Sequence, residues 1–290
     1  MALRVDVSVV VPTIGRARLL RQLLATLVAC DPAPAEILVV DQSRDGVCQA
    51  VVFEYEAFGA SFVSCDGSGA ARARNVGFQR ASHEIVLCTD DDCTVAPDWV
   101  GRAVACMISR PEGMVTGRVL PAGDAQRVPS TQQQAEPHEY QGEGAFDVLY
   151  SGNMAASRSR VLTLGGFDER LSPADDNDLC YRWLRAGQQL RYESSMVVWH
   201  HDWRTTYALD RLAVDYARGQ GAFYGKHVRR GDMRMLAFAA RDLSAGLRGT
   251  VASWARGRPD GFDWRRGVLR GLPAGFVRGL RLTPSSSEMG

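Results

Sequence analysis

The 290-residue sequence predicts an α/β fold, a mostly parallel sheet with flanking helices, followed by an Arg-rich α-helical C-terminal extension. Two observations predict the sheet. Short β-branched runs alternate with stretches of helical period, an order typical of parallel strands joined by crossover helices. Polar and acidic residues directly follow several of these runs, where ligands bind in such sheets. A third observation, an uneven distribution of charge, predicts the extension.

Four short runs have the composition of buried strands: residues 5–11, 36–40, 60–64 and 84–88. The first run is followed by Pro12 and Thr13 and then by leucines at helical spacing, which predict a helix. The second run ends at Asp41, and the fourth is followed by Asp90-Asp91-Asp92. Because the carboxyl ends of parallel strands share one edge of the sheet, these polar groups are expected to lie together there.

Charge divides the chain near residue 200. Residues 1–200 carry 18 basic and 25 acidic side chains, a net charge of −7, whereas residues 201–290 carry 16 and 8, a net charge of +8. Within the first part, residues 121–147 are polar and lack a clear period. Since so long a connection is unusual in a compact domain, we interpret it as a substrate loop.

The bulk composition is that of a globular protein, with 46% hydrophobic and 23% charged residues. No apolar stretch reaches the ~18–20 residues that span a bilayer, and the N-terminal apolar run is too short for a signal peptide. The seven cysteines are scattered and form no CxxC pair. Such cysteines predict reduced thiols and therefore a cytoplasmic protein. A peripheral contact at the inner face of the membrane is a separate expectation, which concerns the C-terminal helices.

The acidic triplet admits two interpretations. Three adjacent carboxylates repel one another unless they are solvated or bound to a cation, and hard oxygen ligands suit Mg²⁺ or Mn²⁺. The alternative is a solvated turn ahead of a helix that starts near Pro97. The triplet alone does not decide between them.

Six segments, in order along the chain, resemble the family 2 glycosyltransferases, which have the Rossmann-like GT-A fold. They are SVVVPTIGRARLLRQLL (8–24), ILVVDQSRDG (37–46), GAARARNVGFQRASHEIVLCTDDDC (69–93), SGNMAASRSRVLTLGGFDERL (151–171), DDNDLCYRWLRAG (175–187) and VVWHH (197–201). The resemblance implies a GT-A catalytic domain over residues 1–202, with a nucleotide-sugar half (about 1–120) and an acceptor half (about 121–202). Residues 203–290 would then be a helical extension with a flexible SSSEMG tail.

The resemblance also implies roles for residues on the donor side. The nucleotide-sugar contacts would be Pro12, Thr13, Asp41, Arg74, Asp90 and Asp91. Asp90 and Asp92 would be the ends of a DxD motif in which Asp92 holds the metal. An Asx-turn before Asp45-Gly46 is the alternative for Asp41, and a surface pair is the alternative for Arg72 and Arg74.

On the acceptor side, the resemblance points to Gly152, Asn153 and Asp175 beside the sugars, and to Asp176 as the general base. The family usually has Glu where this chain has Asp175. Helix N-capping is the alternative for Asp176 and our interpretation of Asp178. Of the two histidines that end the last apolar run, we choose His200 over His201 as a metal ligand. Imidazole beside carboxylates favours Mn²⁺ over Mg²⁺.

With these roles, the resemblance implies an inverting glycosyltransferase, with Mn²⁺ or Mg²⁺ as cofactor and a UDP- or dTDP-sugar as the favoured donor. The acceptor would be a glycan, a lipid-linked sugar or a small molecule. A nucleotidyltransferase is the rival enzyme class, although VVVPTIGR lacks the Gly-rich loop such an enzyme needs. A non-catalytic nucleotide-sugar-binding protein is the other alternative.

Residues 264–282 combine apolar residues at helical spacing with five arginines. An Arg-rich amphipathic helix can lie on an anionic membrane surface. The alternatives are a helix packed on the protein, interrupted near Pro273, or a homodimer contact. No nucleic-acid-binding module accompanies the positive charge, so nucleic acid is not an expected partner.

Overall fold

The computed structural model describes residues 3–256 and 264–283, so the SSSEMG tail lies outside the described residues. Contacts divide the chain into two compact units. Unit 1 comprises residues 1–122, 130–169 and 179–201, and unit 2 comprises residues 123–129, 170–178 and 202–290. The predicted catalytic domain, which ends at residue 202, stays a prediction.

Unit 1 contains a nine-stranded sheet. Its strands are β1 (Arg4–Thr13), β2 (Ala33–Asp41), β3 (Ala60–Ser64), β4 (Ile85–Thr89), β5 (Cys93–Val95), β6 (Met114–Ala122), β7 (His138–Tyr140), β8 (Asn153–Ser157) and β9 (Leu190–His201). The spatial order is β3-β2-β1-β4-β8-β6-β9-β5, and β7 pairs with β9. The four predicted strands are β1 to β4, and they form one parallel half.

The other half of the sheet is mixed. Strand β8 runs antiparallel to β4 and β6, β9 is parallel to β6, and β5 and β7 are antiparallel to β9. The sequence pattern did not predict β5, β6, β7 or β8, because β5 and β7 have three residues each, Gly117 and Arg118 interrupt β6, and β8 (NMAAS) has no β-branched run. The loop predicted over residues 121–147 therefore contains a strand, β7.

Helices cover both faces of this sheet. They are α1 (Ala17–Val28), α2 (Val47–Phe53), α3 (Ala70–Arg80), α4 (Trp99–Ser109), α5 (Arg158–Thr163) and α6 (Asp175–Arg185), whose first four residues belong to unit 2. The predicted leucines of α1 are buried against one face, and α3 packs on the other. Alternate residues of β1 enter each core, so Val9 and Val10 are both fully buried on opposite faces.

Unit 2 is dominated by three helices, α7 (Thr206–Arg229), α8 (Arg234–Arg256) and α9 (Trp264–Leu280). Glycines recur every fourth residue on one side of α9: Gly267, Gly271, Gly275 and Gly279. A Cβ atom at any of them would overlap a backbone oxygen of α7. The two helix backbones therefore touch along α9, which supports the packed-helix alternative for this segment. No helix within the described ranges has the length and apolar composition needed to cross a membrane.

Candidate functional site

Polar side chains gather where β1, β2 and β4 end. Thr13 pairs with Asp41 in the register of β1 and β2, and Asp90 to Asp92 directly follow β4. Pro12 is buried one residue earlier in β1. The structure thus places the predicted donor-side residues of these three strands at one edge of the sheet, where ligands bind in α/β folds.

Asp91 is the most buried member of the acidic triplet. Its Oδ2 atom accepts a hydrogen bond from Thr13 Oγ1 (2.5 Å), and Arg16 binds both carboxylate oxygens through Nε and a terminal nitrogen. Burial raises the pKa of Asp91 to about 6, although the opposite charge of Arg16 and the hydrogen bonds lower it. Both oxygens of Asp91 are thus engaged by Thr13 and Arg16, and the nucleotide contact predicted for this side chain stays a prediction.

Arg16 was not among the residues predicted for the site. It lies in the turn between β1 and α1, and its second terminal nitrogen is 3.7 Å from Asp92 Oδ2. This guanidinium therefore bridges two neighbouring carboxylates and offsets their mutual repulsion. A basic residue just beyond the first strand, opposite an acidic triplet, was the available signal.

Asp92 lies beside the histidine chosen from the sequence. His200 Nε2 is 3.5 Å from Asp92 Oδ1, and only 2% of the Asp92 side chain and 5% of the His200 side chain are exposed. Pairing of β5 with β9 sets Cys93 opposite His200 and so fixes this approach. The ring of His201 instead lies 3.0 Å from the hydroxyl of Thr94.

A metal ion fits this donor set only in part. A carboxylate and an imidazole suit Mn²⁺ or Mg²⁺. Among the described residues, no three His, Cys, Asp or Glu side chains converge as a ready-made metal site. Asp92 and His200 would therefore hold a metal together with oxygen atoms of a bound diphosphate and water, which is how Mg²⁺ is usually held in phosphate-binding sites.

Arg74 and Gly152 both lie against Asp90. Arg74 is buried on α3, and its terminal nitrogen is 2.6 Å from Asp90 Oδ1. Its guanidinium also lies over the ring of Phe167, 5.7 Å from the centroid. A Cβ atom on Gly152 would come within 2.5 Å of Asp90 Oδ2, so a larger residue here would displace the Asp90 side chain. The surface-pair alternative thus fails for Arg74, whereas Arg72 is exposed and pairs with Glu169 (3.1 Å).

Asp41 forms the Asx-turn that was its structural alternative. Its Oδ1 atom accepts the backbone N–H of Ser43 (2.9 Å), and its Oδ2 atom accepts the Ser43 hydroxyl (2.7 Å). Asp41 is buried at the end of β2. A carboxylate oxygen can accept more than one hydrogen bond, so the turn and the predicted base contact are compatible.

The structure corrects the role predicted for Asn153. Its Oδ1 accepts the indole N–H of Trp99 (2.8 Å), and its Nδ2 donates to the backbone oxygens of Arg118 and Met196 (2.9 Å each). The residue is fully buried, and both amide hydrogens and the carbonyl oxygen are used within the protein. We therefore replace the sugar contact predicted for Asn153 with a structural role: it joins β8 to α4, β6 and β9.

The paired glycines Gly165 and Gly166 form a tight turn. Both have positive φ angles, 83° and 68°. The side chain of Asn75 spans the turn, because Oδ1 accepts the N–H of Phe167 (2.8 Å) and Nδ2 donates to its carbonyl oxygen (2.9 Å). These contacts account for both glycines without a ligand.

The other acidic segment, residues 175–178, belongs to unit 2. Asp175 is buried, and Asp176 Oδ1 accepts the backbone N–H of Asn177 (2.9 Å). The side chain of Asp178 is fully buried and contacts Lys226 Nζ (2.6 Å) and His227 Nε2 (2.8 Å) on α7. Its carboxylate is thus held by a lysine and a histidine, and Asp178 also lies in the first turn of α6, so the interpretation as a helix-start residue stays a prediction.

Comparison with known proteins identifies relatives over most of the chain. The profile of "Glycosyl transferase family 2" matches residues 8–164. The "Pre-mycofactocin glycosyltransferase" of Mycobacterium tuberculosis, in two strains, is 27% identical over 214 residues, which are 69% of this chain and 43% of the relative. This chain thus spans less than half the length of those relatives.

Solved structures agree with the fold. The mannosyltransferase PcManGT from Pyrobaculum calidifontis, in complex with GDP-Man and Mn²⁺, superposes with a TM-score of 0.65 at 20% identity, over 96% of this chain and 88% of that one. S. aureus TarS 1–349 with UDP-GlcNAc gives 0.58 at 17% identity, over 75% and 70%. The predicted GT-A fold is confirmed, as a mixed sheet with flanking helices and a helical C-terminal part.

Proposed function

The chain belongs to glycosyl transferase family 2, and from this membership we propose that it transfers a sugar from a nucleoside diphosphate to an acceptor hydroxyl with inversion. The observation that carries the proposal is the edge of the sheet where Asp92 meets His200 and Asp90 meets Arg74. An acidic pair beside an imidazole and a buried guanidinium suits a metal-bound diphosphate.

Each residue of this edge has a proposed task. Pro12, Thr13 and Asp41 border the nucleotide base, and Asp90 lies towards the ribose, with Arg74 holding its carboxylate in place. Asp92 and His200 hold the metal, whose positive charge would stabilise the leaving diphosphate. Arg16 keeps Asp91 and Asp92 in fixed positions, so that the metal-binding carboxylate needs little rearrangement when the donor arrives.

Asp176 is the proposed general base. Inverting transfer needs a single carboxylate within hydrogen-bond reach of the acceptor hydroxyl, which takes up the proton as the acceptor oxygen attacks the anomeric carbon. The resemblance of residues 175–187 to the family supports this role, and Asp176 lies in the first turn of α6. Asp175 and Gly152 are proposed to border the sugars.

The donor nucleotide is proposed to be UDP or dTDP. Among the structural neighbours, one complex holds UDP-GlcNAc and another holds GDP-Man with Mn²⁺. These ligands belong to those proteins and define the panel to test here. The acceptor is proposed to be a glycan, a lipid-linked sugar or a small molecule.

The test is a panel of UDP-, dTDP- and GDP-sugars, screened with Mn²⁺ or Mg²⁺ for thermal stabilisation and for release of the nucleoside diphosphate. We expect one nucleotide sugar to stabilise the protein only with metal. Asp92→Asn should abolish the metal-dependent shift, and Asp176→Asn should keep it while losing turnover. Asp98→Asn, which changes an exposed carboxylate of the same unit, is the matched control.

The rival functions are distinguished by this panel together with a second assay that supplies a nucleoside triphosphate and a sugar phosphate. Binding without turnover in the wild-type protein would indicate a nucleotide-sugar-binding protein. Release of pyrophosphate from a nucleoside triphosphate and a sugar phosphate would indicate a nucleotidyltransferase. If no nucleotide sugar shifts the melting temperature with metal present, the proposed function is wrong.

We also propose that the protein works in the cytoplasm, with a peripheral contact at the inner membrane face. All seven cysteines are free thiols, as a reducing compartment requires. Exposed apolar residues follow one side of α8 (Leu236, Leu247 and Val251), and exposed Met233 directly precedes this helix. Exposed arginines lie between them along the helix, including Arg241 and Arg248, and residues 201–290 carry a net charge of +8. An apolar stripe with cationic neighbours suits an anionic lipid surface.

Co-sedimentation with vesicles tests this contact. Vesicles containing phosphatidylglycerol should bind the protein, neutral phosphatidylcholine vesicles should not, and Leu247→Glu should weaken the binding. Unchanged binding in Leu247→Glu would refute the α8 surface as the contact. A concentration-dependent mass that the same substitution abolishes would show that α8 forms a homodimer contact instead.

A further inference from the structure

The chain contains one lysine, and it is buried. All other basic residues are arginines apart from histidine, yet Lys226 on α7 has only 1% of its side chain exposed. Its Nζ atom is 2.6 Å from Asp178 Oδ1, and the Asp178 side chain is fully buried. A lysine ammonium is compact, whereas a guanidinium is a wide planar fork. This site therefore selects lysine by size in a sequence that otherwise uses arginine.

Other contacts tie the same segment to α7. His227 Nε2 is 2.8 Å from the same Asp178 oxygen, and the side chain of Asn177 donates to Gln220 Oε1 (2.7 Å). Pro173, four residues before Asn177, also packs against α7, because a Cβ atom on Gly219 would be 2.9 Å from Pro173 Cδ. All of these residues belong to unit 2, so the contacts lie within one compact body.

The arrangement has a direct link to the proposed chemistry. Asp176 is two residues from Asp178 and one residue from Asn177, in the same first turn of α6. A residue flanked by anchored neighbours in a helical turn loses most of its backbone freedom. General-base catalysis depends on such placement, because displacement of a reacting group by about 1 Å can lower the rate on the order of a hundredfold.

We propose that Lys226 and His227 are positioning residues for Asp176: they clamp Asp178 and thereby hold the first turn of α6 in the geometry that transfer requires. This inference rests on the proposed function, since it assigns the clamp a task in that reaction. The positive charge of Lys226 offsets the cost of burying the Asp178 carboxylate, and His227 forms a second hydrogen bond to the same oxygen atom. Neither residue is placed in contact with substrate.

The experiment compares Lys226→Met with Arg218→Met in the full chain. Methionine keeps the length of the lysine side chain without its charge. Arg218→Met is the matched control, because it removes the charge of another basic residue of α7, one whose guanidinium is 3.0 Å from Asp215 of the same helix. His227→Phe is a milder second variant, which keeps a ring but has no nitrogen, in case Lys226→Met does not fold.

Two readouts are needed. Hydrogen–deuterium exchange should rise in the peptide that covers residues 173–180 in Lys226→Met and His227→Phe, and not in Arg218→Met. With the active nucleotide sugar of the panel, kcat should fall about tenfold to a hundredfold in Lys226→Met. The donor KM and the Mn²⁺-dependent binding of the free nucleoside diphosphate should stay within about twofold, because these report the donor site.

Each outcome decides one question. Unchanged exchange in residues 173–180 overturns the clamp, whether or not the wild-type protein transfers sugar. Raised exchange with unchanged kcat overturns the positioning role and leaves a purely structural contact. A wild-type protein without any turnover overturns the proposed function, and the exchange measurement then decides on the clamp alone.

Discussion

Replacement of Gly275 by alanine should destabilise unit 2, although alanine favours a helix more than glycine does. The Cβ atom at this position would lie 2.8 Å from the carbonyl carbon of Arg218 on α7 and closer still to its oxygen. Carbon atoms in contact are normally about 3.5–4.0 Å apart. The atoms that must move are backbone atoms of a neighbouring helix, so the two helices have to separate by about 1 Å.

The magnitude follows from two opposing terms. Overpacking of a well-packed contact costs about 1–3 kcal/mol, and a clash against backbone belongs at the upper end of that range. The better helix propensity of alanine returns about 1 kcal/mol. We therefore expect a net loss of about 2 kcal/mol in the free energy of unfolding, or a decrease in Tm of about 10 °C for a domain of roughly 100 residues.

Thermal and urea unfolding followed by circular dichroism at 222 nm measure the effect. Gly249→Ala is the control: in the same unit, its Cβ atom would meet only the side chain of Arg265, which can move. That variant should stay within about 1 kcal/mol of the wild-type protein. A Gly275→Ala protein as stable as wild type would refute direct backbone contact between α7 and α9.

Three further predictions concern other parts of the structure. Asn153→Ala leaves the indole N–H of Trp99 and two backbone oxygens without their partner, so the free energy of unfolding should fall by about 3 kcal/mol in urea titrations. Gly152→Ala pushes a methyl group against Asp90, so turnover of the active nucleotide sugar should fall at least about tenfold while the circular dichroism spectrum stays unchanged. Burial lowers the pKa of His227 below its usual 6.5, although Asp178 opposes this, so the unfolded chain binds the proton more readily. The stability present above about pH 6.5 should then be lost as the pH falls through the folded-state value; Tm should be lower at pH 5.5 than at pH 7.5, and His227→Phe should reduce this dependence.

The parallel half of the fold was readable in the sequence because its strands are buried on both faces and so appear as continuous apolar runs. β1, β2 and β4 stand out for this reason, and the residues after them lie together as predicted. β8 did not stand out, since NMAAS contains no β-branched residue. Only its pairing with β4 and β6 shows that it is a strand. An antiparallel strand inserted into such a sheet has no local signal of its own.

The candidate site divides in a similar way. Asp92 lies shortly after β4 and His200 lies near the end of β9, and the ends of such strands can be predicted from a sequence. Their proximity was therefore predictable. Whether a polar residue is available to a ligand depends on its partners, and these lie far away along the chain. Nothing in the sequence shows that the side chain of Asn153 bonds to Trp99, or that Asp178 contacts Lys226.

Because the chain has a single lysine, chemical labelling of that residue reports on the structure around it. Lys226 is the only side-chain amine, and an acylating reagent reaches its nitrogen only in molecules whose contact with Asp178 has opened. The rate of acetylation at this residue, followed by mass spectrometry, therefore measures an opening equilibrium inside unit 2 under native conditions. A substrate or metal that closes this cluster would slow the labelling, with no engineered probe in the protein.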